Sequence, residues 1–173
     1  MANVASFDYV AQRDARILVL GSMPGVASLE AQRYYAHPRN AFWPIMGELC
    51  GFAPDAEYGE RLQALRRAGV ALWDVLARCR RKGSLDSDID RATAEANDFA
   101  GFYARHPDVR SVFCNGGAAF DLYRRRVVAG LDIPWRGLPV VKLPSTSPAH
   151  ASQSLAQKRE RWLAELRGLL AGG

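Results

Sequence analysis

The sequence predicts an α/β protein in three layers, α/β/α, built on a central four-stranded parallel sheet, and three observations carry that expectation. Short apolar segments at Ile17–Leu20, Val70–Trp73, Val109–Cys114 and Val140–Leu143 read as strands, and the first has no polar alternation at all, as suits a strand covered on both faces. Helical patterns fill the stretches between them, and a strand-helix alternation without repeats implies parallel strands with helices on both sides. The length of 173 residues suits a single domain, 1–173, able to bury about 70% of its unfolded surface without disulfides or metal.

In chain order, Ile17–Leu20 stop at Gly21, and Gly21, Pro24 and Gly25 let the backbone turn sharply after the strand. Tyr34, Tyr35, His37, Arg39, Asn40, Phe42 and Trp43 then place rings, a cation and an uncharged amide in one loop. That combination can stack a base, hold a phosphate and orient a water. Ala41–Leu49 predicts a short helix, with Pro44 tolerated in its first turn and Gly51 as its stop. Tyr58–Ala68 predicts an amphipathic helix with Leu62 and Leu65 on one face, ended by Gly69. After the second strand, Asp74 leads into VLARCRRKGSLDSDID, read as a loop that is first basic and then acidic. Arg91–Arg105 predicts a helix turning Phe99, Phe102 and Tyr103 inward and broken at His106-Pro107. Asn115-Gly116-Gly117 turns the third strand into the helix Ala118–Val128. The last helix, Gln153–Leu170, carries Leu155, Trp162, Leu163, Leu166 and Leu170 at the spacing of a core stripe. The ends after Leu20, Trp73, Cys114 and Leu143 therefore share one sheet edge, where open α/β sheets bind ligands.

Composition narrows the partners. With 49% hydrophobic and 24% charged residues the chain is an ordinary globular one. A formal charge of +5 and a pI near 9.4 favour a polyanion, and Arg39 and the stretch Arg78–Lys82 suit phosphate contacts. Cys50, Cys79 and Cys114 are odd in number and widely spaced, which predicts neither a disulfide framework nor a zinc ribbon. No window approaches the ~18 uninterrupted apolar residues of a membrane span, and no leader pattern opens the chain, so cytoplasmic residence is expected. No triad, Walker loop or metal set stands out.

GSMPG followed by YYAHPRNAFW resembles the first motif of the uracil-DNA glycosylase superfamily, and is most similar to its deoxyinosine (hypoxanthine)-DNA glycosylase branch. ALWDVL with CRRKGSLDSDI, FCNGG and LPSTSPAH resemble further segments of that branch, in the right order and after the right strands. The mismatch-specific uracil/thymine branch keeps its catalytic Asn in the turn, where Met23 stands here; a thioether cannot orient a water. In the deoxyinosine branch the catalytic Asn ends HPRN, which implies Asn40. Read from the residues alone, Asn40 can also cap the following helix, and the two roles can hold together.

The resemblance implies a uracil-DNA glycosylase-like fold and an enzyme that rotates a deaminated base out of the stack, at a cost of a few kcal/mol. Ser22, Met23, Tyr35, Asp74 and Asn115 would bind the base, with Tyr35 stacking on it and Tyr34 packing behind. Asp74 can accept from the imino N–H that uracil and hypoxanthine share, or can partner the RRK stretch. Asn115 can line the pocket wall or serve the Asn-Gly-Gly turn. The loop Pro144–His150 is similar to the second motif, with Ser145 and Ser147 gripping phosphates while Pro148 and Ala149 wedge into the minor groove. Composition alone favours a Ser/Pro turn leading to the last helix, and His150 can contact phosphate or solvent. His37 and Arg39 would touch DNA, and His37 is a candidate donor to a departing purine. Leu143 stands where the most active uracil branch begins that motif with His, so no donor is expected there. The implied enzyme removes hypoxanthine from double-stranded or single-stranded DNA, leaves an abasic site, needs no cofactor and no metal, has no membrane partner, acts as a monomer and works at the nucleoid. The cysteine spacing speaks against the iron–sulfur branches. Other readings are a mismatch-specific uracil enzyme, a non-catalytic DNA-binding relative, and a small-nucleotide binder, the last opposed by the missing phosphate-binding Lys.

Overall fold

The structure, a computed structural model, describes residues 1–170. In chain order its elements are β1 (Ala2–Ala5), β2 (Ile17–Gly21), α1 (Val26–Ala31), α2 (Phe42–Cys50), α3 (Tyr58–Arg67), β3 (Val70–Asp74), β4 (Leu76–Arg81) and β5 (Ile89–Ala96). They continue with α4 (Phe99–Arg105), β6 (Ser111–Asn115), α5 (Gly117–Arg126), β7 (Val140–Leu143) and α6 (Leu155–Leu166). The central sheet has four strands in the order β3-β2-β6-β7, all parallel, as the apolar runs predict. Its layering follows from the period of two along each strand. Leu18 and Leu20 enter one core with Ala71, Trp73, Val112 and Cys114, which α4 and α5 cover through Phe102, Tyr103 and Tyr123. Ile17 and Val19 enter the other with Val70, Leu72 and Phe113, which α2, α3 and α6 cover through Phe42, Leu65 and Trp162.

A second, three-stranded antiparallel sheet, in the order β1-β4-β5, departs from the expectation that 75–90 form a loop. The helix expected over Arg91–Arg105 is likewise halved. The chain stays extended through Ala96, turns at Asn97, and becomes helical only at Phe99, where Asp98 caps by accepting from the Gly101 N–H at 3.0 Å. Pairing with β4 overrides the helix-forming residues of ATAEA, since strand preference follows context more than propensity. The stretch after Pro24, expected as loop, holds α1. The last helix runs from Leu155 to Leu166 and is followed by a 3₁₀ turn over Arg167–Leu169; its start is fixed by a reciprocal capping box between Ser154 and Gln157.

The order of strands creates a switch point. From β2 the chain crosses to β3 on one side, and from β3 it returns past β2 to β6 on the other. A crevice therefore opens between the carboxyl ends of β2 and β6, at Gly21 and Asn115.

Candidate active site

That crevice is a cleft of about 480 Å³, and of the 13 residues singled out above, from Ser22 to His150, it is lined by twelve. Ser22, Met23, Tyr35, His37, Arg39, Asn40, Asp74, Asn115, Ser145, Ser147, Pro148 and Ala149 line the cleft, whereas His150 lies just outside. His150 instead shares a hydrogen bond with Ser152 Oγ at 3.1 Å.

The first loop is built on aromatic packing. Tyr34 is buried, donates its hydroxyl to the Asp8 carbonyl at 2.8 Å, and accepts at its own carbonyl from Trp43 Nε1 at 2.9 Å. Tyr35 takes φ +52°, the left-handed region that bulky residues seldom visit. This turn lays its ring on Phe42, with centroids 4.1 Å apart and planes at 27°. Its hydroxyl ends buried without a partner beside Gly21. Asn40 Oδ1 accepts from the Phe42 N–H at 2.9 Å, so the amide does cap the start of α2 while also facing the cleft. That single bond fixes the side chain and leaves Nδ2 and a second lone pair of Oδ1 for another partner. Met23 packs into the core that also holds Trp73.

The second loop is pinned from beneath. Asn115 Nδ2 donates to Thr146 Oγ1 and Asn115 Oδ1 accepts from the Thr146 N–H, both at 2.9 Å. The side chain expected at a base is thus committed largely to holding the 144–150 loop. Trp162 Nε1 donates to the Pro144 carbonyl at 2.9 Å, Lys158 Nζ to that of Ser147 at 3.1 Å, and the Ala41 N–H to that of Thr146 at 3.0 Å. Gly116, at φ +96°, lies so close that an added Cβ would stand 3.1 Å from Ser145 Cβ. Leu143 is buried in the core and offers no donor.

The third wall is the 83–88 turn between β4 and β5, which brings Ser84, Leu85 and Asp86 to the cleft. Ser84 Oγ accepts from the Val26 N–H at 2.9 Å. Asp86 is exposed over much of its surface, yet its carboxylate turns inward and accepts from Ser22 Oγ. Neither Asp86 nor Ser84 is picked out by the sequence, where both sit inside a run of mixed charge. The basic stretch Arg78–Lys82 is not one phosphate-facing loop: Arg81 is 1% exposed and directs its guanidinium to the Pro24 carbonyl, while Arg78, Arg80 and Lys82 remain outside.

Asp74 lies on the floor. An added Cβ on Gly21 would come within 2.5 Å of Asp74 Oδ1 and 3.0 Å of the Tyr35 hydroxyl, so only glycine admits both groups here. Burial raises the Asp74 carboxyl to about 7; the Asp86 charge adds to the rise and Arg81 opposes it. Burial also lifts Asp86 above the usual carboxylate range, against the Ser22 hydrogen bond and the charges of Arg81 and Arg91. The Tyr35 hydroxyl is raised by burial and then by Asp74. Among the described residues no group of three or more His, Cys, Asp or Glu side chains is placed to share a metal ion.

The arrangement joins a capped amide, a stacked ring, a buried carboxyl and a rigid Ser/Pro loop around one opening. A family model described as Uracil DNA glycosylase superfamily matches residues 7–168. The chain belongs to the uracil DNA glycosylase superfamily. A protein of Methanosarcina acetivorans named Hypoxanthine DNA glycosylase is 33% identical over 93% of this chain and 96% of its own length. A protein of the same name from Methanosarcina barkeri is 36% identical over 64% of this chain and 69% of its own. A solution NMR structure of a candidate uracil DNA glycosylase from M. acetivorans superposes with a TM-score of 0.80 at 32% identity, covering 96% of this chain and 98% of that one.

Proposed function

We propose that this superfamily member removes hypoxanthine from deoxyinosine in DNA, leaving an abasic site. The observation that carries the reading is that Asn40, the last residue of HPRN, faces the cleft with part of its amide uncommitted, in a chain similar along its length to a protein named Hypoxanthine DNA glycosylase. In this reading the target nucleotide is rotated into the cleft and its base lies on the free face of Tyr35. Ser145, Ser147, Pro148 and Ala149 present a pre-shaped wedge to the groove, and Arg39 and His37 meet phosphates at the rim. Asn40 orients a water toward C1′ as the glycosidic bond lengthens and positive charge grows on the sugar. Leu143 supports a purine over uracil, because a uracil leaving as an anion lacks a donor at that position, an aid worth about 3 to 4 kcal/mol where it exists. The substrate is duplex or single-stranded DNA, the enzyme acts as a monomer, and it resides in the cytoplasm with the nucleoid.

Single-turnover excision from matched oligonucleotides carrying one deoxyinosine or one deoxyuridine tests this reading. Deoxyinosine is expected to be cut faster; equal or faster uracil release assigns the protein to uracil repair. Asn40→Ala should slow excision by roughly 10² to 10⁴ while DNA binding, read by fluorescence anisotropy, persists. A wild-type rate in that variant leaves Asn40 as a helix cap only.

A further inference from the structure

Beneath the cleft lies a buried carboxyl that the water-orienting step does not use. Asp74 is 4% exposed, its Oδ2 has no hydrogen-bond partner among the described residues, and burial and Asp86 favour its proton while Arg81 opposes it. A carboxylate left unpaired in such a place is costly, and a proton removes the cost. Arg81, the cation that opposes this, turns away: it donates to the Pro24 carbonyl, and its Nε and Nη1 have no partners among the described residues. Asp86, held by Ser22, keeps a second negative group beside Asp74, and two neighbouring carboxylates resist ionising together. Tyr35 adds a buried hydroxyl at the same point over Gly21.

We infer that Asp74 is the general acid of base release, with Asp86 as the positioning residue that keeps it protonated. The inference rests on the hypoxanthine reading, because a purine has ring nitrogens that can take a proton before it leaves. As the bond between C1′ and N9 breaks, its electron pair passes to the ring while the Asp74 proton moves to N7 or N3. Hypoxanthine departs neutral instead of as an anion. The water held by Asn40 bonds to C1′, and its surplus proton returns through solvent to the Asp74 carboxylate, which restores the enzyme. A donor at this depth is a carboxylic acid matched to neutral pH, as effective acid catalysis requires. The titratable groups facing Asp74 are Asp86 from the 86–88 turn, Arg81 from β4, and Tyr35 and Tyr34 from the first loop. Both tyrosines are raised by burial above their ordinary range and stay neutral throughout the pH range of interest.

The test is the single-turnover rate of deoxyinosine excision from pH 5.5 to 9 in the wild type and in Asp86→Asn and Asp74→Asn. The wild-type rate should level off on the acid side and fall about tenfold per pH unit above the Asp74 value, as expected when one essential proton is lost. Asp86→Asn should move this fall to lower pH, a shift that a purely structural role would not produce. Asp74→Asn should lose the fall and lie roughly 10² to 10⁴ below the wild-type plateau. If that variant does not fold, judged by near-ultraviolet circular dichroism, the wild-type and Asp86→Asn profiles still decide. A flat wild-type profile, or one that Asp86→Asn leaves in place, overturns the acid role while leaving hypoxanthine as substrate. No hypoxanthine release at any pH overturns the substrate reading, and the acid role with it.

Discussion

Two segments border the same cleft and are held by different physics. The 144–150 loop is fixed from beneath: Trp162 donates to the Pro144 carbonyl, Lys158 donates to the Ser147 carbonyl, and the Asn115 amide donates to the Thr146 hydroxyl and accepts from the Thr146 N–H. The 83–88 turn hangs at the end of two antiparallel strands and is fastened by two side-chain acceptors, Ser84 Oγ to the exposed Val26 N–H and Asp86 to the Ser22 hydroxyl. The first arrangement draws on buried hydrogen bonds from the elements beneath it. The second includes a titratable link, so it can respond to pH and to what lies in the cleft. The contrast predicts unequal penalties when each fastening is cut.

The largest belongs to Trp162→Ala. Trp162 is fully buried, meets Phe42 edge-on at 6.2 Å and holds the Pro144 carbonyl, so its removal opens a cavity and frees the loop together. A loss of about 3 to 5 kcal/mol is expected in denaturant unfolding. A loss below about 1 kcal/mol would mean the loop is not anchored from beneath.

Next comes the floor that both segments share. Asp74 holds its proton more tightly when folded, at about 7, than when unfolded. Stability is therefore complete below the unfolded value of about 3.9, declines as pH climbs to about 7 and is flat beyond, at about 1.4 kcal/mol for each pH step. A decline of a few kcal/mol between pH 4 and 7 that disappears in Asp74→Asn would support this; an unchanged slope in the variant would assign it to other groups. Thr146→Val ranks third. It leaves Asn115 Oδ1 its backbone donor and removes the hydroxyl acceptor, for a cost of about 1 to 3 kcal/mol by thermal unfolding.

The same contrast explains what was legible beforehand. The parallel sheet could be read because Ile17–Leu20 and Val70–Trp73 are buried on both faces, and burial writes itself as uninterrupted apolar residues. The cleft residues on its edge came with those strands. The antiparallel sheet could not be read, because its register shifts between Leu76 and Arg80, which breaks the period of two. It also points Arg81 inward, where a pattern of apolar and polar residues predicts the reverse. Asp86 and Ser84 reach the cleft only through that sheet, so nothing local marked them. Asn97-Asp98 is a readable helix start, and it divides the helix expected over Arg91–Arg105 into the end of β5 and α4.

The smallest expected effect is that of Ser84→Ala, and it separates the two fastenings most cleanly. The bond from the Val26 N–H to Ser84 Oγ is exposed, so water replaces the lost acceptor and stability should change by less than about 1 kcal/mol. The effect should be local. Hydrogen exchange at the Val26 amide should quicken, because its only side-chain acceptor is gone, while the Thr146 amide, whose acceptor Asn115 is buried, keeps its protection. Asp86 still accepts from Ser22 in this variant, so the turn keeps its inward carboxylate and the pH profile of excision should not move. If exchange quickens at Thr146 as well, the two segments open as one unit and their distinct modes of attachment do not matter. If neither amide changes, the Ser22–Asp86 bond alone holds the turn, and the titratable link is the whole of its attachment.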